Sequence, residues 1–431
     1  MKTVRIGLLG CGVVGGGVVQ LVAGNARALE ARVGAPLEIV RALVRDPSKE
    51  RVSELDRSKL TQDPSHIVDA SDIDVVIEVM GGIEPAKDLL LRALRSGKQV
   101  VTANKMLLAA HGPELLRVAA EHAADIGFEA SVGGGVPVIR ALRDSLVSDR
   151  IDRVVGIING TSNYVLTRML AAGLSFAAAV KEAQDKGYAE ADPTLDVGGH
   201  DAAHKLVVLA MLAFGAQVAH EQVPTFGLED IEPVDHAFAS RFGFVIKSLA
   251  IGKDHGDSIE LRVHPSLVRK DRVLANVSGV LNAVLIEGRA LGPCLLSGRG
   301  AGDLPTAVSV VADVVDVARA KLSGVTGLTS KSLQLTRKKL MPLSDITSRY
   351  YLRFQVFDRP GVLAFITGAL GREGVSIEQL VQDGGGDSAG HAVQVVMLTH
   401  EANEGAVARA LGSIDASDFI KSKTRLIRVG D

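Results

Sequence analysis

The sequence predicts an α/β protein. A doubly wound nucleotide-binding domain comes first, then an α+β domain, then a small ferredoxin-like domain at the C-terminus. Three observations carry this. Apolar strand-like runs alternate with helical stretches from residue 3 to about 132, and βαβ alternation makes a parallel sheet covered by helices. A Gly-x-Gly-x-x-Gly run stands between the first strand and the first helix. Residues 350–431 follow a βαββαβ order, which is the ferredoxin-like arrangement.

A chain of 431 residues exceeds a single hydrophobic core, so two or three domains are expected. Hydrophobic residues make up 47% and charged residues 23%, the balance of a soluble globular protein. A net charge of -2 offers no basic face to nucleic acid or to an acidic membrane. With no Trp and 3% aromatics, base stacking is a poor mode of recognition. Cys11 and Cys294 are too few for a disulfide framework, which fits a reducing compartment and a cytoplasmic location. The opening MKTVRIGLLGC looks like a short lipoprotein signal. Its apolar run, residues 6–10, is shorter than the roughly 7–15 residues a signal core needs. No stretch has the roughly 20 unbroken apolar residues of a membrane span.

Residues 3–9 read as a buried strand, followed by Gly10, Cys11, Gly12, Val13, Val14 and Gly15 and then a helix. Strand, GxGxxG and helix in this order make a Rossmann-type fingerprint. Gly10 makes the tight turn, Gly12 lets backbone approach a pyrophosphate, and Gly15 permits close helix–strand packing. The helix start offers free N–H groups to the phosphates. A second strand, 37–44, ends at Arg45 and Asp46. An acid there holds a ribose 2′-hydroxyl, whereas an Arg accommodates a 2′-phosphate. Both are present. Arg45 comes first and Lys49 and Arg51 follow, so the reading leans to NADP with NAD open.

Strands are expected at 74–79 and 98–103, with a helix at 84–97 between them. Lys105 lies just past the second of these strands, in the run VTANK with Thr102, where ligands of such sheets bind. A helix over 112–124 and a strand over 126–132 complete this part. The Gly-rich run 129–137 is expected to be non-helical. It serves either as a linker or, with Glu129 and its exposed carbonyls, as a hard-cation ligand set.

A strand at 151–158, a polar turn at 159–163 and helices from 164 and over 175–184 follow. The stretch 187–205, GYAEADPTLDVGGHDAAHK, gathers acids, two His and three Gly and runs into the apolar segment 206–214. Asp201 and Lys205 stand four apart and share a helix face. On a surface that is an ordinary ion pair. Against an interior helix such charges are costly unless paired or used, and Glu190 in the preceding loop points to use. The region 241–290 contains strand-like runs such as FVIKSLAIG, SIELRVHP and NAVLIEG. The Gly-rich loop 297–306 either closes over a cofactor or caps the helix at 307–320, and 322–349 reads as a linker. The tail is read as strand 350–357, the turn Asp358, Arg359, Pro360, Gly361, helix 362–374, strand 376–382, a loop at 384–391, strand 392–400, helix 404–414 and strand 424–429.

These motifs resemble homoserine dehydrogenase over roughly residues 1–340, followed by a regulatory ACT domain. GCGVVGGG at 10–17, VTANK at 101–105, EASVGGGVP at 129–137, NGTSNY at 159–164, the 187–205 stretch and GAGDLPTA at 300–307 carry the resemblance. With no kinase-like stretch ahead of residue 1, the chain is similar to the monofunctional form. The resemblance implies NAD(P)H-dependent reduction of L-aspartate 4-semialdehyde to L-homoserine, on the way to threonine and methionine. It also implies roles for single residues. Lys205 would be the general acid, and Lys105 a second lysine near cofactor and substrate. Glu190 and Asp201 would grip the substrate ammonium, with Gly187 lining that pocket. Gly10, Gly12, Val13, Val14, Gly15, Arg45, Thr102, Lys105 and Gly302 would lie on the cofactor. Glu129 with the main-chain oxygens of Val132, Gly134 and Val136 would match a sodium site.

The implied organisation is a cofactor domain at 1–135 with 300–325 packing back on it, a substrate and dimerisation domain at 136–300, a linker at 322–349 and an ACT domain at 350–431. The tail implies feedback by L-threonine, or dimerisation alone; a homodimer or homotetramer is expected. Two other functions stay open: a nucleotide- and amino-acid-sensing protein without catalysis, and a dehydrogenase for a related amino-acid aldehyde or hydroxy acid.

Overall fold

The computed structural model describes residues 3–328, 330, 333–383 and 392–430. The loop expected at 384–391 lies outside them. The chain forms two compact units. The first comprises 1–158, 202–222 and 281–338, and the second comprises 159–201, 223–280 and 339–431.

The first unit opens with β1 (Val4–Leu9), α1 (Val13–Gly24), β2 (Leu37–Leu43), β3 (Leu60–Thr61), β4 (Val75–Glu78), α2 (Ala86–Arg95), β5 (Gln99–Thr102), α3 (Lys105–Glu121) and β6 (Ile126–Gly127). The strands lie in the order β3-β2-β1-β4-β5-β6, all parallel. This is the dinucleotide-binding order, which reverses beside β1 and leaves a crevice at the carboxyl ends. β4 and β5 are buried at every position, as expected of strands covered on both faces. Helix α3 starts well before the expected residue 112. Pro113 fits a helix start, but here it stands inside α3, and Asn104 caps the true start by accepting from the Leu107 N–H at 3.1 Å. Lys105 is therefore the first helical residue.

The chain continues through β7 (Ile151–Ile157), α4 (Gly160–Ala172), α5 (His200–Phe214), α6 (Pro233–Arg241), β8 (Phe244–Asp254), β9 (Ser258–Arg269), β10 (Leu281–Gly288), β11 (Gly292–Arg299) and α7 (Asp303–Ser323). In the first unit β10 pairs antiparallel with both β7 and β11. Helix α7 packs along α1. A Cβ on Gly17 would stand 3.0 Å from the Asp303 carbonyl oxygen and 3.1 Å from the Ala307 Cβ, so a glycine is what lets the two helix starts approach. Helix α3 meets α5 where a Cβ on Gly112 would lie 3.0 Å from the Met211 Cε.

The tail supplies β12 (Tyr350–Phe357), α8 (Val362–Arg372), β13 (Ile377–Asp383), β14 (Ala392–Thr399), α9 (Glu404–Asp415) and β15 (Ile420–Val429). The strands of the second unit run β8-β9-β15-β12-β14-β13. The last four form the ferredoxin-like sheet, and β15 joins it to β9 through a short parallel pairing, Ser266 to Arg428 and Leu267 to Val429. A buried ion pair adds a second joint. Asp235 on α6 accepts from Arg353 at 2.7 and 3.1 Å and from the Tyr351 hydroxyl at 3.0 Å. Among the described residues no single helix is long and apolar enough to cross a membrane.

Candidate active site

The nucleotide crevice is built from backbone. Gly10 has φ of +98° and needs glycine. A Cβ on Gly15 would stand 2.3 Å from the Gly10 carbonyl oxygen, whereas one on Gly12 would meet nothing within 4 Å. Gly15 thus seals the turn against β1, and Gly12 opens onto free space at the start of α1, where a pyrophosphate would be received by unpaired N–H groups. Val13 is exposed beside it and Val14 half-buried. Gly302, with φ of +124°, is the N-cap of α7; of the expected loop at 297–306, residues 297–299 end β11 and 303–306 open α7, whose start lies next to α1 at Gly17. The residues fit a dinucleotide. The buried Cys11 thiol is pushed up by burial, and its carbonyl accepts from the Arg51 guanidinium.

Arg45 is exposed just past the end of β2. The neighbouring Asp46 carboxylate accepts from the Ser48 N–H at 2.9 Å and from its hydroxyl at 2.6 Å. These bonds hold it below the usual carboxylate range and turn it toward its own loop. At the end of β4 the buried Glu78 accepts from the Met80 and Gly81 N–H groups and from the Thr102 hydroxyl at 2.6 Å. Thr102 in turn accepts from the Asn104 N–H at 3.0 Å. Sequence reasoning passed over Glu78; an acid closing an otherwise apolar strand was the available signal. This chain of bonds fixes the turn that delivers the half-buried Lys105.

Lys205 is 9% exposed and lies on α5 one turn beyond Asp201. Its Nζ donates to the Ile158 carbonyl at 2.8 Å, just past the end of β7. Both lysines belong to the first unit. In the second unit, Asn159 donates from Nδ2 to Asp201 and to Asp196, each at 2.8 Å. Asn159 also caps α4 by accepting from the Ser162 N–H. The turn expected at 159–163 is thus a cap followed directly by helix, and its Asn holds two acids together. Glu190 is exposed, and its carbonyl accepts from the Gln184 side chain at 3.2 Å. Gly187, φ +72°, ends the preceding helix.

Glu129, Val132, Gly134 and Val136 are buried in one turn of the first unit. The Glu129 carboxylate accepts from the Ile139 N–H at 2.9 Å and the Arg140 N–H at 2.7 Å. Burial raises its pKa. The Gly134 carbonyl accepts from Ser309 at 2.7 Å and the Val136 carbonyl from Val138 at 2.8 Å. A carboxylate with main-chain oxygens suits a hard cation, and each of these acceptors keeps lone-pair capacity. The next acid, Asp313, accepts from the Glu129 N–H at 2.7 Å and is pushed up to about 7 by burial. Among the described residues no three His, Cys, Asp or Glu side chains gather into a metal group.

Comparison with known proteins gives the family. Residues 10–129 match the homoserine dehydrogenase NAD-binding domain, 137–315 the homoserine dehydrogenase domain and 350–416 the ACT domain. The chain is 41% identical to the homoserine dehydrogenase of Neisseria gonorrhoeae, covering 100% of this chain and 99% of that protein. It is also 41% identical to the Bacillus subtilis enzyme, with 99% of each covered. The crystal structure of a homoserine dehydrogenase from Thiobacillus denitrificans superposes with a TM-score of 0.93 at 42% identity, covering 100% of this chain and 99% of that one. A Staphylococcus aureus homoserine dehydrogenase gives 0.77 at 28%, with the same coverage. The chain belongs to the homoserine dehydrogenase family, as an oxidoreductase with an NAD-binding domain and a C-terminal ACT domain.

Proposed function

We propose that the protein reduces L-aspartate 4-semialdehyde to L-homoserine with Lys205 as the proton donor, using NADPH in preference to NADH. The observation that carries this is a buried ammonium one helical turn from a buried, Asn-held carboxylate. The bound nicotinamide supplies a hydride. As the aldehyde carbon accepts it, negative charge develops on oxygen, and a positioned ammonium stabilises that charge and donates the proton. Lys105 is assigned as a second positive centre of the cleft. Asp201 and Glu190 hold the substrate ammonium through charge-assisted bonds, with Gly187 in the lining.

Gly10, Gly12, Val13, Val14, Gly15, Thr102, Lys105 and Gly302 receive the dinucleotide. The preference for NADPH is supported by Arg45 at the strand end, beside an Asp46 carboxylate engaged by Ser48. Sodium is the cation assigned to Glu129 with the Val132, Gly134 and Val136 oxygens. Residues 1–135 with 300–325 serve the cofactor, 136–300 the substrate and dimer contact, and 350–431 the effector, with 322–349 between them. L-Threonine is assigned to the turn at Asp358–Gly361. A homodimer, or a tetramer built from it, is supported by the edge strand β11, beside which Leu291 and along which Leu295 are exposed. The two free cysteines suit the cytoplasm.

The test is loss of NADPH or NADH absorbance with aspartate semialdehyde, run with and without millimolar threonine. Turnover with NADPH, suppressed by threonine, supports the reading. No turnover with either nucleotide would return the chain to a sensing role, and no threonine effect would leave the tail a dimerisation domain.

A further inference from the structure

The candidate substrate loop rests, inside the second unit, on a segment that the regulatory domain grips. The turn before α5 is tight: Gly199 has φ of +87°, and a Cβ there would meet the Thr225 Cγ2 at 3.0 Å, the Val263 Cγ1 at 3.1 Å and the Phe226 carbonyl oxygen at 3.5 Å. The Leu228 N–H donates to the Val197 carbonyl at 3.0 Å, and the Phe226 N–H donates to the Val263 carbonyl of β9 at 2.9 Å. Residues 225–228 are thus wedged between β9 and the turn that carries Asp196 and leads into Asp201. Phe226 is 40% exposed. Its ring lies under the Arg428 guanidinium, 4.5 Å from the ring centroid.

Arg428 is the regulatory domain's contribution. It is 5% exposed on β15, and it donates to both carboxylate oxygens of Glu404 at the start of α9, from Nε at 2.8 Å and also from Nη2. Glu404 accepts as well from the Tyr350 hydroxyl on β12 at 3.0 Å. A guanidinium forked onto a carboxylate has a fixed plane. Any shift of α9 or β12 therefore moves the surface on which Phe226 sits.

We propose that Phe226 is a positioning residue for the substrate loop, held by Arg428 of the ACT domain, so that this domain helps to set the affinity for the semialdehyde. The inference rests on the assignment of Asp201 to the substrate ammonium, but not on threonine being the effector.

The test is steady-state kinetics of the full-length enzyme, with semialdehyde and NADPH varied separately. Phe226→Leu keeps the apolar bulk and removes the ring face, whereas Phe226→Tyr keeps the ring. Phe226→Leu is expected to raise the semialdehyde KM about three- to tenfold, the size of a partly buried cation–π contact. Its kcat and NADPH KM should stay within about twofold of wild type, and Phe226→Tyr should match wild type. Arg428→Lys, which keeps the charge beside Glu404 but loses the planar stack, should move KM the same way. The double variant should be no worse than Phe226→Leu alone, because both remove one contact.

Asp201→Asn in the same assay separates the two readings. If it raises the semialdehyde KM while Phe226→Leu and Arg428→Lys do not, the link is refuted and the substrate assignment stands. If none of the three raises it, both are refuted. Additive effects of Phe226→Leu and Arg428→Lys, or a Phe226→Tyr indistinguishable from Phe226→Leu, would also overturn the proposal.

Discussion

The loop at 10–17 and the loop at 187–201 solve opposite problems. The first recognises its ligand by having no side chains in the way: Gly12 opens onto space and Gly15 lets a helix press onto Gly10. The second is built from side chains: two like-charged acids lie close together, and Asn159 holds them there with one amide nitrogen shared between Asp196 and Asp201. A backbone-built site tolerates changes of charge around it and fails when a Cβ is added. A side-chain-built site tolerates added bulk at its edges and fails when a charge is removed.

The largest effect that sharpens this contrast belongs to Gly15→Ala. Its Cβ would overlap the Gly10 carbonyl, and overpacking costs typically 1–3 kcal/mol, up to about 100-fold in NADPH Kd. The semialdehyde KM at saturating NADPH should be little changed; a variant that binds NADPH normally by fluorescence titration would break the backbone account. Asp201→Asn should act in mirror image. Losing a charge-assisted bond of about 1.5–3 kcal/mol raises the semialdehyde KM about 10- to 100-fold while NADPH Kd holds. Equal losses for both ligands would remove the distinction between the loops. Glu190→Gln should be milder, about fivefold in the same KM, because Glu190 is exposed and exposed ion pairs contribute at most about 1 kcal/mol.

A further effect is on stability alone, not on either ligand. Burial lowers Lys247 to about 8, and its Nζ donates to the Val277 carbonyl at 2.5 Å. An unfolded lysine keeps its proton to about pH 10.4. Between these two values the unfolded state binds more protons, so this group makes stability rise with pH there. Lys247→Met lacks that rise. Measured by urea unfolding, its stability relative to wild type should fall by roughly 2–3 kcal/mol from pH 7 to pH 10. A difference independent of pH would mean that Lys247 is not held near neutral by its surroundings.

How much of this was legible in the sequence follows from the same contrast. The nucleotide turn is local: strand, three glycines at set spacing and helix are contiguous, and the structure repeats them with the sheet order β3-β2-β1-β4-β5-β6. The βαββαβ tail is legible for the same reason, since its periodicities change at clear turns. What was not legible is what depends on partners far along the chain. Pro113 read as a helix start because the Asn104 cap and the bond its N–H donates to Thr102 were invisible as geometry. Glu78 looked like one more strand residue until Thr102, 24 residues later, donated to it. Asn159 belonged to a recognised motif, but its hold on Asp196 and Asp201 spans 37 and 42 residues. Asp235 and Arg353, 118 apart, left no local trace at all.

The account stands or falls on the ammonium at position 205. Lys205→Ala, compared with wild type for semialdehyde turnover at saturating NADPH and for NADPH Kd by fluorescence, tests it directly. The expected result is a turnover lower by about 10²- to 10⁴-fold, the usual share of a positioned proton donor, with Kd unchanged. Turnover close to wild type would contradict it and leave Lys205 a buried lysine bonded to the Ile158 carbonyl.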